Sequence, residues 1–225
     1  MKKFLVFTCL SLFAAAGASA AEQRAKLVSH VESCEAILQE FMSDPSAAIP
    51  ASVWRQAHAL MIVNQFKAGF FLGIKEGYGV ILVKKPGGHW SVPVLLSASE
   101  ASIGLQVGAK SVETIYVITD DSTPRLLFNQ RFNIGVDAKA VAGPSDAGVE
   151  RDKGAIASAP VLVYAKTAGL FAGATIKAGY VARNDPANFT LYSTTSTLPE
   201  LLYSDWVQPV PEVQPLMSYV QRLAP

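Results

Sequence analysis

Apolar positions follow two regimes along this chain. Between residues 22 and 42 they recur at steps of four and three: Leu27, Val31, Cys34, Leu38 and Phe41, with Val28 and Ile37 beside them. That period predicts an amphipathic helix, with Glu22, Arg24, Lys26, Glu32, Glu35 and Glu40 largely on its other faces. Ser43-Asp44-Pro45 ends it, because a residue before proline avoids helical geometry. A short helix is predicted from Ala51 to about His58, with Pro50 near its start, where a missing N–H costs nothing. From Ala59 the pattern becomes that of strands. Ala59-Leu60-Met61-Ile62-Val63 is an apolar run with the length of a buried strand. Further strands are predicted near 67–74, 78–84, 101–109, 111–119, 132–141, 156–165 and 170–182, with His89 to Pro93 extended. Ile103, Leu105 and Val107 alternate with Ser102, Gly104 and Gln106, and Phe132, Ile134, Val136, Ala138 and Ala140 share one face. Lys85-Pro86-Gly87-Gly88 reads as a turn and Gly143 to Gly154 as a polar loop carrying Arg151 and Lys153. Short helices are predicted from Ser122 to Gln130 and from Val213 to Leu223.

Glycines punctuate the strand-like segments, at Gly69, Gly73, Gly77, Gly79, Gly104 and Gly108. Within a strand, glycine marks a bulge, a bend or a close approach of backbones. The expected architecture is therefore α+β: N-terminal helices packed on a strongly curved, mostly antiparallel β-sheet or partly closed barrel. Ala68-Gly69-Phe70-Phe71-Leu72-Gly73 is echoed by Ala168-Gly169-Leu170-Phe171-Ala172-Gly173, and Ile103-Gly104-Leu105-Gln106 more weakly by Ile134-Gly135-Val136-Asp137. These echoes leave open either two related halves or chance.

The first twenty residues change the picture of where the chain works. Lys2 and Lys3 precede an apolar stretch from Phe4 to Ala16, and Ala18-Ser19-Ala20 supplies a small-residue cleavage site. This is the pattern of a secretory signal, too short for a membrane span. The expected organisation is a signal peptide over 1–20 and one domain over 21–225. The mature chain then carries 17 basic and 18 acidic residues, a balance that argues against a nucleic-acid partner. It retains only Cys34, so it forms no internal disulfide. An exported, periplasmic protein, peripheral to the envelope membrane, is the expectation.

Catalytic signatures are sparse. His30, His58 and His89 stand far apart in sequence, with no His-Glu-x-x-His and no Cys-rich metal spacing. No Gly-x-Ser-x-Gly elbow occurs, and Gly77-Tyr78-Gly79 lacks the third glycine of a dinucleotide loop. Asp120-Asp121 sits where a strand ends and reads as a solvated turn. No catalytic residue, cofactor or metal is expected. An enzyme would require His58 or His89 to meet a carboxylate in a pocket. Asn188-Phe189-Thr190 fits the N-glycosylation triplet. The chemistry that remains is surface contact: the helix over 22–42 carries Arg24, Lys26 and His30 near its start, and such a helix can lay Leu27 and Val31 at a lipid interface while cations meet anionic headgroups. The same amphipathicity equally describes a helix that covers its own sheet. Lys84 and Lys85, at a hairpin tip, form a second cationic group.

Several blocks taken together resemble the SYLF domain, the Ysc84-type lipid-binding or actin-binding domain. They are Ile49-Pro50, Ala57-His58-Ala59, Lys67-Ala68-Gly69-Phe70, Gly77-Tyr78-Gly79-Val80 and Trp90-Ser91-Val92-Pro93. The series continues with Ser102-Ile103-Gly104-Leu105-Gln106-Val107-Gly108-Ala109, Ala142-Gly143-Pro144 and Tyr164-Ala165-Lys166-Thr167-Ala168-Gly169-Leu170-Phe171-Ala172-Gly173. Their order spans about residues 25 to 205. The resemblance implies lipid binding, phosphoinositide binding in eukaryotic members, and in some of them actin binding. It implicates an amphipathic N-terminal segment, matched here by the 22–42 helix with Arg24 and Lys26. This start is mixed in charge rather than basic, and Ser145-Asp146-Ala147 precede Gly148 where the family's glycine comes sooner. With an export signal, the implied partner is an anionic bacterial phospholipid and not actin. The expected function is non-enzymatic lipid binding through Arg24, Lys26, Leu27, Val31, Lys84 and Lys85. The alternative is a structural or protein-interaction module of the periplasm without a lipid role.

Overall fold

The structure, a computed structural model, describes residues 2–68, 73–102, 111–128, 131–133, 140–142, 159–167, 170–172 and 180–225. Helix α1 runs from Lys2 to Ser43 and contains the predicted 22–42 segment. A single turn, α2 (Ala51–Trp54), follows Pro50. The strands are β1 (Ala59–Ala68), β2 (Gly73–Val83), β3 (Val94–Ser102), β4 (Ser111–Ile118), β5 (Phe132–Asn133), β6 (Ala140–Ala142), β7 (Val161–Thr167), β8 (Leu170–Ala172) and β9 (Tyr180–Arg183). Residues 123–128 form a 3-10 turn instead of the predicted helix. Three further helices close the chain: α3 (Asp185–Tyr192), α4 (Leu198–Tyr203) and α5 (Gln214–Leu223).

The sheet has the order β5-β9-β3-β2-β1-β4-β7-β6, with β8 also on β7. Every pairing is antiparallel except β6 on β7. Among the described residues β5 and β6 end the order without meeting, so the molecule is α+β with an open sheet and not a barrel.

Both faces of the sheet are covered. Leu60, Ile62, Val80, Leu82, Leu95, Ile115, Val117 and Leu162 face a core completed by α1, α2, α3 and α5. Met61, Val63, Ile81, Val94, Leu96, Ile118 and Val163 face a second core completed by Leu127 and by Leu198, Leu201 and Leu202 of α4. Burial on two sides is why β1 reads as an unbroken apolar run. On α1, Leu27, Val31, Cys34, Ile37, Leu38 and Phe41 all enter the first core. At about 1.5–3 kcal/mol for each large side chain, that ridge contributes on the order of 10 kcal/mol, comparable to the whole stability of a domain. Helix α1 is therefore a structural member of the fold. Among the described residues no helix is long and apolar enough to cross a membrane.

Several sequence expectations resolve here. The stretch His89 to Pro93 is a connection with a single bridge, Lys84 to Trp90, and the strand that follows starts at Val94. Helices α3 and α4 occupy 185–203, where the sequence pattern names no element. Asn188 is buried: its Oδ1 accepts from the Leu95 N–H at 2.7 Å and its Nδ2 donates to the Leu95 carbonyl at 3.0 Å. It pins α3 to β3 and is no surface glycan acceptor in the folded chain. The segments 69–72, 103–110, 134–139 and 173–179, and with them most of both internal echoes, lie outside the described residues, as do Arg151 and Lys153.

Gly79 lies where β1 and β2 approach closely: a Cβ there would stand 2.5 Å from the Ile62 carbonyl oxygen, and one at Gly77 closer still to that of Asn64. Backbone cannot yield as a side-chain tip can. Gly79→Ala is expected to lower stability in urea denaturation by about 2 kcal/mol, whereas Gly87→Ala, whose Cβ would meet only the His89 ring at 3.6 Å, stays within about 0.5 kcal/mol of the parent.

Candidate functional site

A polar stripe runs along α1 beside the buried ridge: Lys26, His30, Ser33 and Glu40. Steps of four, three and seven put these on one flank of the helix. Across the sheet, Tyr78, Asn64, Glu113 and Lys166 are direct ladder partners in sequence, on β2, β1, β4 and β7. The polar flank of the helix meets this polar row of the sheet. The His30 and Tyr78 rings stack with centroids 3.8 Å apart and planes 1° from parallel. The Tyr78 hydroxyl donates to Ser33 Oγ at 2.9 Å and accepts from Asn64 Nδ2 at 3.2 Å. At the other end Lys166 is buried, donates to Glu40 and lies 3.9 Å from Glu113.

Burial pushes the Glu113 carboxyl up, the Lys166 charge draws it back, and Glu40 adds to the rise. Burial also pushes the His30 imidazole below its ordinary 6.5, and the Lys26 charge adds to this. The row thus holds a neutral ring stack at one end and a compensated ion cluster at the other. It orients α1 on the sheet and has no arrangement suited to nucleophilic attack.

The predicted contact residues separate into distinct places. Leu27 and Val31 are core residues, so the insertion of that helix face into lipid is corrected: the sheet already occupies it. Arg24 donates to Glu212 at 2.6 Å, tying α1 to the turn before α5. Lys26 is exposed. Lys84 donates to the Pro225 oxygen, and Lys85 to the Ser204 carbonyl with Asp205 at 3.4 Å, so both hairpin cations hold the C-terminal segment. Trp90 Nε1 anchors the same segment through the Ala224 carbonyl at 2.8 Å. Arg24 and Lys26 both stand on α1 but, two residues apart, on different sides of it, and Lys84 and Lys85 do not join them. The structure adds Tyr78, Asn64, Glu113 and Lys166, which sequence reasoning did not single out because register is set by strand pairing.

The enzyme alternative gains little. His58 Nδ1 lies 2.8 Å from Asp121 Oδ1, with the two side chains 47% and 78% exposed, as in a surface ion pair. Asp120 caps the turn: burial pushes its carboxyl up, but hydrogen bonds from Ser122 and Thr123 outweigh this and hold it below the usual value. Among the described residues no group of three or more His, Cys, Asp or Glu is placed to hold a metal ion. Cys34 is fully buried and its thiol is pushed up to about 12, which makes it inert.

A family model described as Ysc84, a Las17-binding protein actin regulator, matches residues 99–223. The chain belongs to the Ysc84 family. It is similar to the "LAS seventeen-binding protein 3" of Saccharomyces cerevisiae, 28% identical over 179 residues, covering 78% of this chain and 39% of the relative. It is also similar to the "SH3 domain-containing YSC84-like protein 1" of Rattus norvegicus, 25% identical over 189 residues, covering 81% of this chain and 56% of the relative. The human protein of that name gives 25% identity over 81% of this chain and 55% of the relative. This Ysc84-family chain thus spans from about two fifths to just over half of these relatives. Matches of this breadth extend beyond 99–223.

The His30 stack gives a pH-dependent test. The unfolded chain protonates near 6.5 and the folded one lower, so the ring's contribution is intact above 6.5 and is lost as the pH falls from there through the lower folded value. The stability lost on His30→Gln is therefore expected to be larger at about pH 8 than at about pH 5.5, read by urea denaturation of both proteins.

Proposed function

We propose that this chain is a non-enzymatic lipid-binding protein of the bacterial cell envelope, exported by its N-terminal signal and attracted to anionic phospholipid headgroups. Its membership of the Ysc84 family supports a binding role over a catalytic one. The observation that carries the reading is the division of labour on α1. The apolar ridge packs on the sheet, while exposed Lys26 stands at the end of the polar flank, one helical turn before the His30 of the stacked ring pair. Contact is then electrostatic and peripheral, made by a rigid surface, and a few interfacial cations contribute about 1 kcal/mol each. Phosphatidylglycerol-type headgroups fit this chemistry in a periplasmic setting.

A second reading follows from the relatives' names. The family model is described as Las17-binding, and the yeast relative is named for binding LAS seventeen. On that reading the domain is a protein-interaction module of the envelope, and affinity capture returns one stoichiometric partner. Actin is not that partner for an exported chain.

Vesicle co-sedimentation separates the two. Binding to phosphatidylcholine vesicles is expected to rise when phosphatidylglycerol is added and to fall with salt, and Lys26→Glu lowers affinity for the anionic vesicles about tenfold. Binding indifferent to anionic content and to Lys26→Glu would falsify the lipid reading.

A further inference from the structure

Exposed apolar side chains converge where the 3-10 turn over 123–128 meets the end of α4. Trp206 is 65% exposed, more than any other large apolar residue among those described, and Leu126 is 41% exposed. Their neighbours tie them to one surface. The Tyr203 ring, at the end of α4, receives the edge of the Phe128 ring with centroids 5.7 Å apart, and the Arg125 guanidinium carbon lies 5.3 Å from its centre. Arg125 and Leu126 both face outward on that turn, whose Leu127 is buried. Tyr203 and Val207 both pack on the rim of the second core. Trp206 lies between them, three residues past Tyr203, so its Cα stands within about 11 Å of that of Tyr203.

Both signs of charge are interspersed across this surface. Arg125 Nε donates to the Asp121 carbonyl at 3.2 Å, and Lys85 lies 3.4 Å from Asp205. Arg183 donates to the Phe128 carbonyl at 2.8 Å and lies 2.9 Å from Asp185. With cations and acids matched in this way, the surface has no preference for a strongly acidic or basic partner. It is suited to meet itself, because a two-fold contact sets the same patch on both chains and fails where one sign dominates. Asp205 is 96% exposed and its ion-pair contact is Lys85, not Arg125, so an acid and an exposed cation are both accessible to a second chain. Trp, Tyr and Arg are the residues that dominate the energetic centres of protein interfaces, and all three occur together here. We propose that this surface joins two copies of the chain about a two-fold axis. Trp206 of each copy is buried against Leu126 and Tyr203 of the other, and Arg125 of each faces Asp205 of the other. The proposal goes beyond both readings above, since it does not depend on what the chain binds.

Sedimentation equilibrium of the full chain tests it, with the apolar stretch from Phe4 to Ala16 common to every variant. The parent is expected to dimerise reversibly, and Trp206→Ser to weaken the dimer at least about thirtyfold, the loss that marks an interface hot spot. Trp206 is exposed, so an unchanged denaturation midpoint confirms that this variant folds. Arg125→Asp alone and Asp205→Arg alone are each expected to sediment as monomers, because like charges then face each other across the axis. An equimolar mixture of the two is expected to form a dimer with one chain of each, read by tagging one variant and recovering the other. Association through the N-terminal stretch would not distinguish that mixture from either variant alone. A parent that stays monomeric at every concentration tested overturns the proposal. So does a dimer that Trp206→Ser leaves unchanged, or a mixture of the charge variants that stays monomeric. A monomeric parent that instead retains a different protein through Trp206 assigns the surface to that partner, and the second copy falls.

Discussion

The docking of one amphipathic helix across a sheet is the constraint on which this molecule depends. Leu27, Val31, Cys34, Leu38 and Phe41 of α1 meet Leu60, Ile62, Val80 and Ile115, none of them more than 9% exposed. Without that helix, the middle of an open sheet would present a wide apolar face to water, well beyond what a monomer tolerates. The same burial decides what α1 can do elsewhere. A ridge that contributes on the order of 10 kcal/mol to folding is not released to enter a bilayer, because interfacial binding returns no more than it gives up.

The polar row beside that ridge has a different task. A buried lysine between two carboxylates adds little net stability, since desolvation offsets most of the attraction. Geometry is what it supplies. Lys166 with Glu40 at one end and Tyr78 with His30 and Ser33 at the other fix how far α1 slides along the strands. A helix held by apolar contacts alone could shift by a turn at small cost; paired polar groups penalise that shift. The helix is thereby aligned with the strand ends, and the exposed flank from Lys26 to His30 always borders the same part of the sheet.

Much of the scaffold is legible in the sequence. The 22–42 period names the residues that α1 buries, and the apolar run at Ala59–Val63 marks the central strand. The terminal helix over 214–223 coincides with the predicted one. Helices α3 and α4 are absent from the sequence reading, although their caps are written there. Asn184 accepts from the Ala187 N–H with proline in the first turn, and Thr197-Leu198-Pro199-Glu200 forms a capping box. Short helices carry little periodicity, so capping chemistry is the stronger signal. The site was less legible. Amphipathicity marked Leu27 and Val31 as apolar but not which surface would cover them. Lys84 and Lys85 looked free at a hairpin tip because their partners, Ser204 and Pro225, lie more than a hundred residues away. The Tyr78–Asn64–Glu113–Lys166 row depends on strand register, which is a property of pairing and not of any one segment.

Asn188 carries a consequence for how this protein is made. Its amide is consumed by both polar groups of Leu95 and by the Asn184 carbonyl, yet it begins an intact acceptor triplet with Thr190. In a host whose secretory route attaches sugars to nascent chains, oligosaccharide transfer competes with the burial of that amide. A molecule modified first cannot seat its helix against the third strand. Yield from such a host is set by a race between transferase and folding, one that a bacterium without this machinery never runs.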